Sequence, residues 1–232
     1  MKISIPQLLT FNGGYVDTAG FLALQGLFTA HVTGNFVTIG ASLIHGSSGV
    51  VAKLLALPVF CLVVGLVRYA SGRMEPAGTM VVNSLAGIKI FLFIIAAVLA
   101  LWFGPFSDGD SPAAIVTGLT LVAGMAIQNA IHRVFFPKDP PTTLMTGSTT
   151  QIMLDLADLV RANLPPETRL TIRMRCMTLF ASVCIFAAGC AAAALIYHYQ
   201  GALVFVFPPL VAALGFLPYF QSGLPLAGQQ SR

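Results

Sequence analysis

Two Thr-Gly pairs stand at corresponding places in the chain: Thr33-Gly34, followed by Asn35, and Thr146-Gly147, followed by Ser148. Each has a threonine-bearing approach, Thr29 before the first and Thr142 and Thr143 before the second. Upstream of each lies a triplet, Tyr15-Val16-Asp17 and Ile127-Gln128-Asn129, about equally far from its TG. A Thr side-chain oxygen can cap a helix start, and Gly permits close approach of backbone or ligand. A helix beginning there presents free N–H groups and the positive end of its dipole. Two such starts meeting inside a protein would suit an anion or a hydroxyl- or carbonyl-bearing solute. Thr33, Gly34, Asn35, Thr146, Gly147 and Ser148 are therefore the expected solute-binding residues. The plain alternative is that TG only lets helices pack closely. Two copies at matching positions favour the binding reading.

The triplets carry a second chemistry. Asp17 lies in an apolar stretch, three residues after Gly14. A carboxylate at membrane depth is costly, faces an interior and often marks an ion or proton path. Its counterpart is Asn129, beside Gln128, so an acid in one half answers an amide in the other. A duplicated site that had acquired coupling would show this asymmetry, which makes Asp17, Gln128 and Asn129 the expected ion- or proton-coupling residues. The competing reading puts Asp17 at an interface, or gives it only a hydrogen bond to a neighbouring helix. Asn35, Gln25, His31 and His132 are weaker candidates on their own, although His31 could titrate near neutral pH. Asp155 and Asp158 are expected to end the second short helix near cytoplasmic water and to pair with Arg161, a solvated ion pair of little energetic weight.

The elements that position these residues are membrane helices. Apolar residues form 56% of the chain and charged residues 9%, with a mean hydropathy of +0.86. A soluble fold of this length cannot hide so much apolar surface behind so few charges, so the chain is expected to be an all-α integral membrane protein with the lipid bilayer as its solvent. The net charge of +4 follows from basic loops rather than from a nucleic-acid surface, because no run mixes basic and aromatic residues. Cys61, Cys176, Cys184 and Cys190 form no CxxC pair and are expected to act as buried apolar thiols, without a metal or other cofactor. Nothing at the N-terminus reads as a cleaved signal, so the first apolar segment is expected to remain a membrane helix.

About 20 apolar residues span a bilayer. Six stretches qualify: Ile5 to Phe28, Lys53 to Tyr69, Ala86 to Phe103, Pro112 to Ile131, Cys176 to Tyr197 and Ala202 to Phe220. The segments His31 to His45 and Pro141 to Val160, which hold the TG pairs, are too short or too polar for a confident crossing. Each half thus reads as long helix, short TG helix, long helix, long helix, within a single membrane domain covering 1–232. Repeat one covers about 5–104 and repeat two about 112–221. Basic residues around Arg68, Arg73 and Lys89, at Arg133 and Lys138, and from Arg161 to Arg175 belong inside, and the Asp108–Asp110 loop outside. Lys53 is a modest exception. The two short segments are then re-entrant from opposite faces, and two halves of three spans each form an inverted repeat with both termini cytoplasmic. Eight crossings with parallel halves is the competing arrangement.

The stretch GGYVDTAGFLALQGLFTAHVTGN with VTIGASL, and the later GMAIQNA with PPTTLMTGSTTQIMLDLA, resemble the two signatures of the YoaK-like family of bacterial inner-membrane proteins (domain of unknown function 1275). The YVD, TGN, QNA and second TG occur in order, and the resemblance covers most of the chain. Ser148 departs from a direct copy of the first motif, which has Asn35. The resemblance implies a bacterial inner-membrane protein of about six helices and names no substrate.

Enzyme signatures such as GxSxG, HExxH or a P-loop are missing, and no catalytic role is expected. The leading expectation is a small secondary transporter or channel for a small polar or anionic solute. The alternative is a non-catalytic assembly or sensor module whose TG pairs only pack helices. Small residues such as Gly189 and Ala193 could pack helices within one chain or between chains of a homo-oligomer.

Overall fold

The computed structural model describes residues 5–73, 78–137, 139–143, 146–161 and 164–222. The chain forms α1 (Ile5–Ala23), α2 (Gly34–His45), α3 (Val50–Arg73), α4 (Gly78–Phe103), α5 (Pro112–Phe135), α6 (Thr146–Val160), α7 (Pro166–Gln200), a 3-10 turn (Gly201–Val206) and α8 (Phe207–Ser222), with no strand among the described residues. Among the described residues four stretches are long and apolar enough to cross a bilayer: Val50–Gly72, Met80–Phe103, Pro112–Phe135 and Pro166–Phe216, the last running from α7 into α8. At ~1.5 Å per residue, α3 and α4 reach roughly 36–39 Å, more than the ~30 Å hydrocarbon core. Leu62 and Leu66 of α3, Phe91 and Val98 of α4 and Phe180 of α7 point outward, as side chains solvated by lipid do. The chain is a helical membrane protein.

α1 differs from these helices. Its polar residues Thr10, Asn12 and Asp17 are buried, together with Leu9, Tyr15, Val16 and Ala19. They lower its hydropathy below that of a lipid-facing span because neighbouring helices, rather than lipid, surround it. α1 lies against α7, α8 and α5. The α1–α7 crossing is a backbone contact: a Cβ added at Gly14 would stand 2.3 Å from the Phe186 carbonyl oxygen, and one at Gly189 2.2 Å from that of Phe11. Gly189 and the fully buried Ala193 therefore pack helices within one chain.

The packing follows a row, α6 on α7, α7 on α1, α1 on α5, α5 on α3 and α3 on α2. α8 and α4 pack on each other and cover α1 and α5 respectively. Exchanging α1 with α5, α2 with α6, α3 with α7 and α4 with α8 maps these contacts onto one another in reverse order, except that among the described residues α3 touches α4 while α7 does not touch α8.

Local chemistry sets the element ends. Ser111 accepts a hydrogen bond from the Ala114 amide and Pro112 opens α5, an N-cap followed by a pre-set φ. Asp110 caps α3 from a distance, accepting from the Gly49 and Val51 amides at 2.9 Å each. Burial pushes the Asp110 carboxyl up, but those backbone amides and Lys53 together hold it below the usual carboxylate range. Gly46 ends α2 in the left-handed conformation, donating its N–H to the Ser42 carbonyl.

Segments 24–26, 46–53 and 104–111 meet at one end of the bundle: Gln25 Nε2 donates to the Phe106 carbonyl at 3.1 Å, and the Gly109 amide to Ser48 Oγ at 2.9 Å. That end carries Asp108 and Asp110. The other holds the end of α3, the start of α7 and the end of α5, with Arg68, Arg133, Arg161, Arg169 and Arg173 exposed. Lys138 and both chain ends, 1–4 and 223–232, lie outside the described residues.

Two loop charges require correction. Lys53 is 2% exposed and donates to Ser42 Oγ at 2.9 Å, so it is no free loop cation. Lys89 is not in a loop at all. It sits inside α4 and is completely buried. The cysteines also divide: Cys176 is buried and Cys190 partly so, whereas Cys61 and Cys184 face outward, where a small apolar thiol suits lipid equally well.

Candidate functional site

α1 stops at Ala23 because Gln25 (φ 53°) and Gly26 (φ 81°) turn the chain back along it. The returning segment is fixed by Asp17. Its Oδ1 accepts from the Thr29 and Ala30 amides, both at 2.7 Å, and from Thr29 Oγ1 at 3.3 Å. Oδ2 meets His31 Nδ1 at 2.6 Å. Asp17 is 4% exposed, while the His31 side chain is 26% exposed. The imidazole borders a cleft of about 480 Å³ whose wall includes Asp17, Phe21, Phe28, Gly34 and Phe186. Phe186 of α7 meets the His31 ring edge-on at 5.7 Å. The site joins a mostly aromatic wall to one buried acid–imidazole pair and the first residue of α2.

The second half uses the same device with other residues. Asn129 Oδ1 accepts from Thr143 Oγ1 at 2.8 Å, as Asp17 accepts from Thr29. Gln128 Nε2 donates to the Leu9 carbonyl at 2.8 Å and to Thr142 Oγ1 at 3.4 Å. Lys89 Nζ donates to Gln128 Oε1 at 2.6 Å. His132 Nε2 lies 3.2 Å from the Asp139 carbonyl. Asp17 and Asn129 each accept from a threonine of the segment that follows their helix.

The TG residues come out differently from expectation. Thr33 precedes α2 in helical conformation and makes no side-chain cap hydrogen bond. Asn35 does the fixing instead, accepting from the Phe28 amide at 2.8 Å and donating to the Phe28 carbonyl at 2.9 Å. That pairing engages both ends of its amide, so Asn35 holds the loop. Gly34 borders the cleft, and a Cβ there would touch the Phe28 ring at 3.0 Å. In the second half Thr146 and Gly147 are exposed and Ser148 is buried. A Cβ at Gly147 would meet nothing within 4 Å. Among the described residues α2 and α6 do not touch. The single site expected between two TG helix starts is therefore not assembled, because α2 lies on α3, α6 lies on α7, and α1 and α5 pack directly on each other.

Asp155 also differs from expectation. It is fully buried and accepts from Arg175 through Nε at 2.9 Å and Nη2, with Gln151 Nε2 at 2.7 Å as a third donor. Asp158 is exposed. Arg161, the expected partner, is not paired with Asp155; the pair of buried Asp155 and half-exposed Arg175 ties α6 to α7. Ser42 and Lys53 tie α2 to α3 in the same way, and Ser42 stands eight residues after Gly34 as Asp155 stands eight after Gly147. Lys89 was the residue missed. Its signal was present, since it interrupts the apolar run from Ala86 to Phe103.

These features define a polytopic helical membrane protein with ionisable side chains inside the bundle. The chain belongs to the family described as Protein of unknown function (DUF1275), which it matches over residues 5–217. No curated protein matches it, and no solved structure does.

Proposed function

We propose that this protein is a small secondary transporter for a small polar or anionic solute in a bacterial inner membrane. It crosses the membrane six times in two halves of opposite orientation, with α2 and α6 as re-entrant helices. The observation that carries the reading is the Asp17–His31 pair, held inside the bundle and opening onto a cleft at the start of α2. Intramembrane ionisable groups cost several kcal/mol and mark solute or proton paths. The inverted arrangement draws support from three sources: the reversible packing order, the equivalent Ser42–Lys53 and Asp155–Arg175 ties, and the acidic and basic ends of the bundle. The protein acts without catalysis, cofactor or nucleic acid, alone or as a homo-oligomer.

The reading in which TG only packs helices keeps one supporting contact, Gly34 against Phe28, and loses the other, because Gly147 faces open space. The test uses a cysteine-free background with single cysteines at Gly34 and Gly147, labelled by a membrane-impermeant thiol reagent from each side. Transport predicts labelling of Gly34 from the acidic end and of Gly147 from the basic end. Asp17→Asn then separates mechanisms in proteoliposomes, since a coupled carrier loses its ion dependence and a channel does not. Failure of both positions to react while loop controls do would remove the transporter reading.

A further inference from the structure

Lys89 has no part in the cleft, yet it is the most unusual group in the bundle. Its ammonium has three donors. Gln128 Oε1 takes one at 2.6 Å, and the rings of Phe93 and Phe216 face the charge at 5.3 and 5.9 Å. Among the described residues no carboxylate lies within ion-pair distance, the two acid pairs being Asp17 with His31 and Asp155 with Arg175. Two aromatic faces and one amide oxygen attract an ammonium, but none of the three is an anion.

A second buried group lacks partners altogether. Asn12 is 0% exposed, and neither Nδ2 nor Oδ1 has a hydrogen bond. Its direction follows from its neighbours on α1. Leu8 faces Gly215 of α8, where an added Cβ would stand 3.7 Å from Leu8 Cβ, and Tyr15 donates to the Val204 carbonyl of the 3-10 turn. Leu9 accepts from Gln128, and Gly13 faces Gln128 and Thr142. At ~100° per residue Asn12 falls between those two lines, on the face of α1 between its contacts with α5 and with α8. Phe216, one residue beyond Gly215, covers Lys89 from the α8 side. An unpartnered buried amide is costly, and this one turns toward the helices that also enclose Lys89.

We propose that Lys89, Gln128 and Asn12 form a central subsite for a small carboxylate, closed in this state by Phe93 and Phe216. The Lys89 ammonium supplies the countercharge and the Asn12 amide a donor to the second carboxylate oxygen. Gln128 Oε1 keeps the ammonium in place. The ligand enters as Phe216 and α8 move away from Lys89. This names the solute class for the transporter proposed above and rests on that reading.

The test is thermal unfolding of the purified protein in detergent with sodium formate or acetate, a bulky sulfonate keeping ionic strength constant. Wild type is expected to gain a few degrees at saturating carboxylate. Lys89→Met should abolish the gain, and Asn12→Leu should reduce it. The Asn12 variant keeps the question open to refutation even if Lys89→Met fails to fold, because Asn12→Leu removes no existing hydrogen bond. Equal gains in wild type, Lys89→Met and Asn12→Leu, or no gain in wild type, would overturn the subsite. Proteoliposome uptake of labelled acetate separates the two ideas. A Lys89-dependent gain without uptake leaves the subsite standing and removes transport. Uptake that survives in Lys89→Met removes the subsite and leaves transport standing.

Discussion

Replacing Gly189 by Ala adds one methyl where α1 and α7 are in backbone contact. The new Cβ would stand 2.2 Å from the Phe11 carbonyl oxygen and 3.0 Å from the Tyr15 nitrogen, against roughly 3.5 Å for an ordinary contact. Both obstacles are main chain, so no rotamer relieves them, and the two helices must part by about 1 Å or more. That separation loosens the packing around Tyr15 and Ala193, which are 1% and 0% exposed. Overpacking of this kind costs about 1–3 kcal/mol, and a rigid clash on both sides belongs at the upper end. At this chain length roughly 3 kcal/mol lowers Tm by about 6–12 °C. Gly14→Ala meets the Phe186 carbonyl oxygen at 2.3 Å and should behave alike. Gly147→Ala meets nothing and should stay within about 0.5 kcal/mol of wild type. Circular dichroism melts of the three variants in one detergent decide the matter. A Gly189→Ala protein that melts with wild type, or a Gly147→Ala protein that falls as far, would refute the reasoning.

Removing Arg175 leaves the Asp155 carboxylate with only Gln151 as side-chain donor, so Arg175→Met should cost about 1–3 kcal/mol. Asp155→Asn should cost less, because the Arg175 side chain is 50% exposed and can turn to water; denaturant melts of both variants check the order, and equal losses would count against the burial argument. Asp110 has a folded pKa below its unfolded value, so its stabilisation is present above the unfolded value of about 3.9 and is lost as pH falls through the folded one. Asp110→Asn should therefore be less stable than wild type at pH 7, and the gap should close in acid; a pH series of melting curves measures it. Asn35→Ala removes both hydrogen bonds that hold Phe28, and a loss of about 1–3 kcal/mol is expected from melting curves.

The helices themselves were legible because lipid leaves little choice: a long apolar run must be a helix, and α3, α4, α5 and α7 lie where their runs are. Asp17 and Asn129 stand at matched spacing from each TG, and in the bundle each accepts a hydrogen bond from a threonine. Their detailed roles were not legible in the sequence. Whether Asn35 faces a solute or grips Phe28 depends on how the loop after Ala23 turns, and that turn is set by Gln25 and Gly26 packing against segments far along the chain. Asp155 looked like a surface acid because Arg161 is its near neighbour in sequence, while its partner Arg175 is brought to it by α7 folding back. Lys89 was visible as a charge in an apolar run, but only the meeting of α4, α5 and α8 could show that it is enclosed by Gln128, Phe93 and Phe216. Composition and local pattern determined which segments leave water for lipid, since that depends on each segment's own side chains. Which polar groups are left inside the bundle, and with whom, was decided by the tertiary structure, because a buried hydrogen bond needs two groups that the chain order keeps far apart.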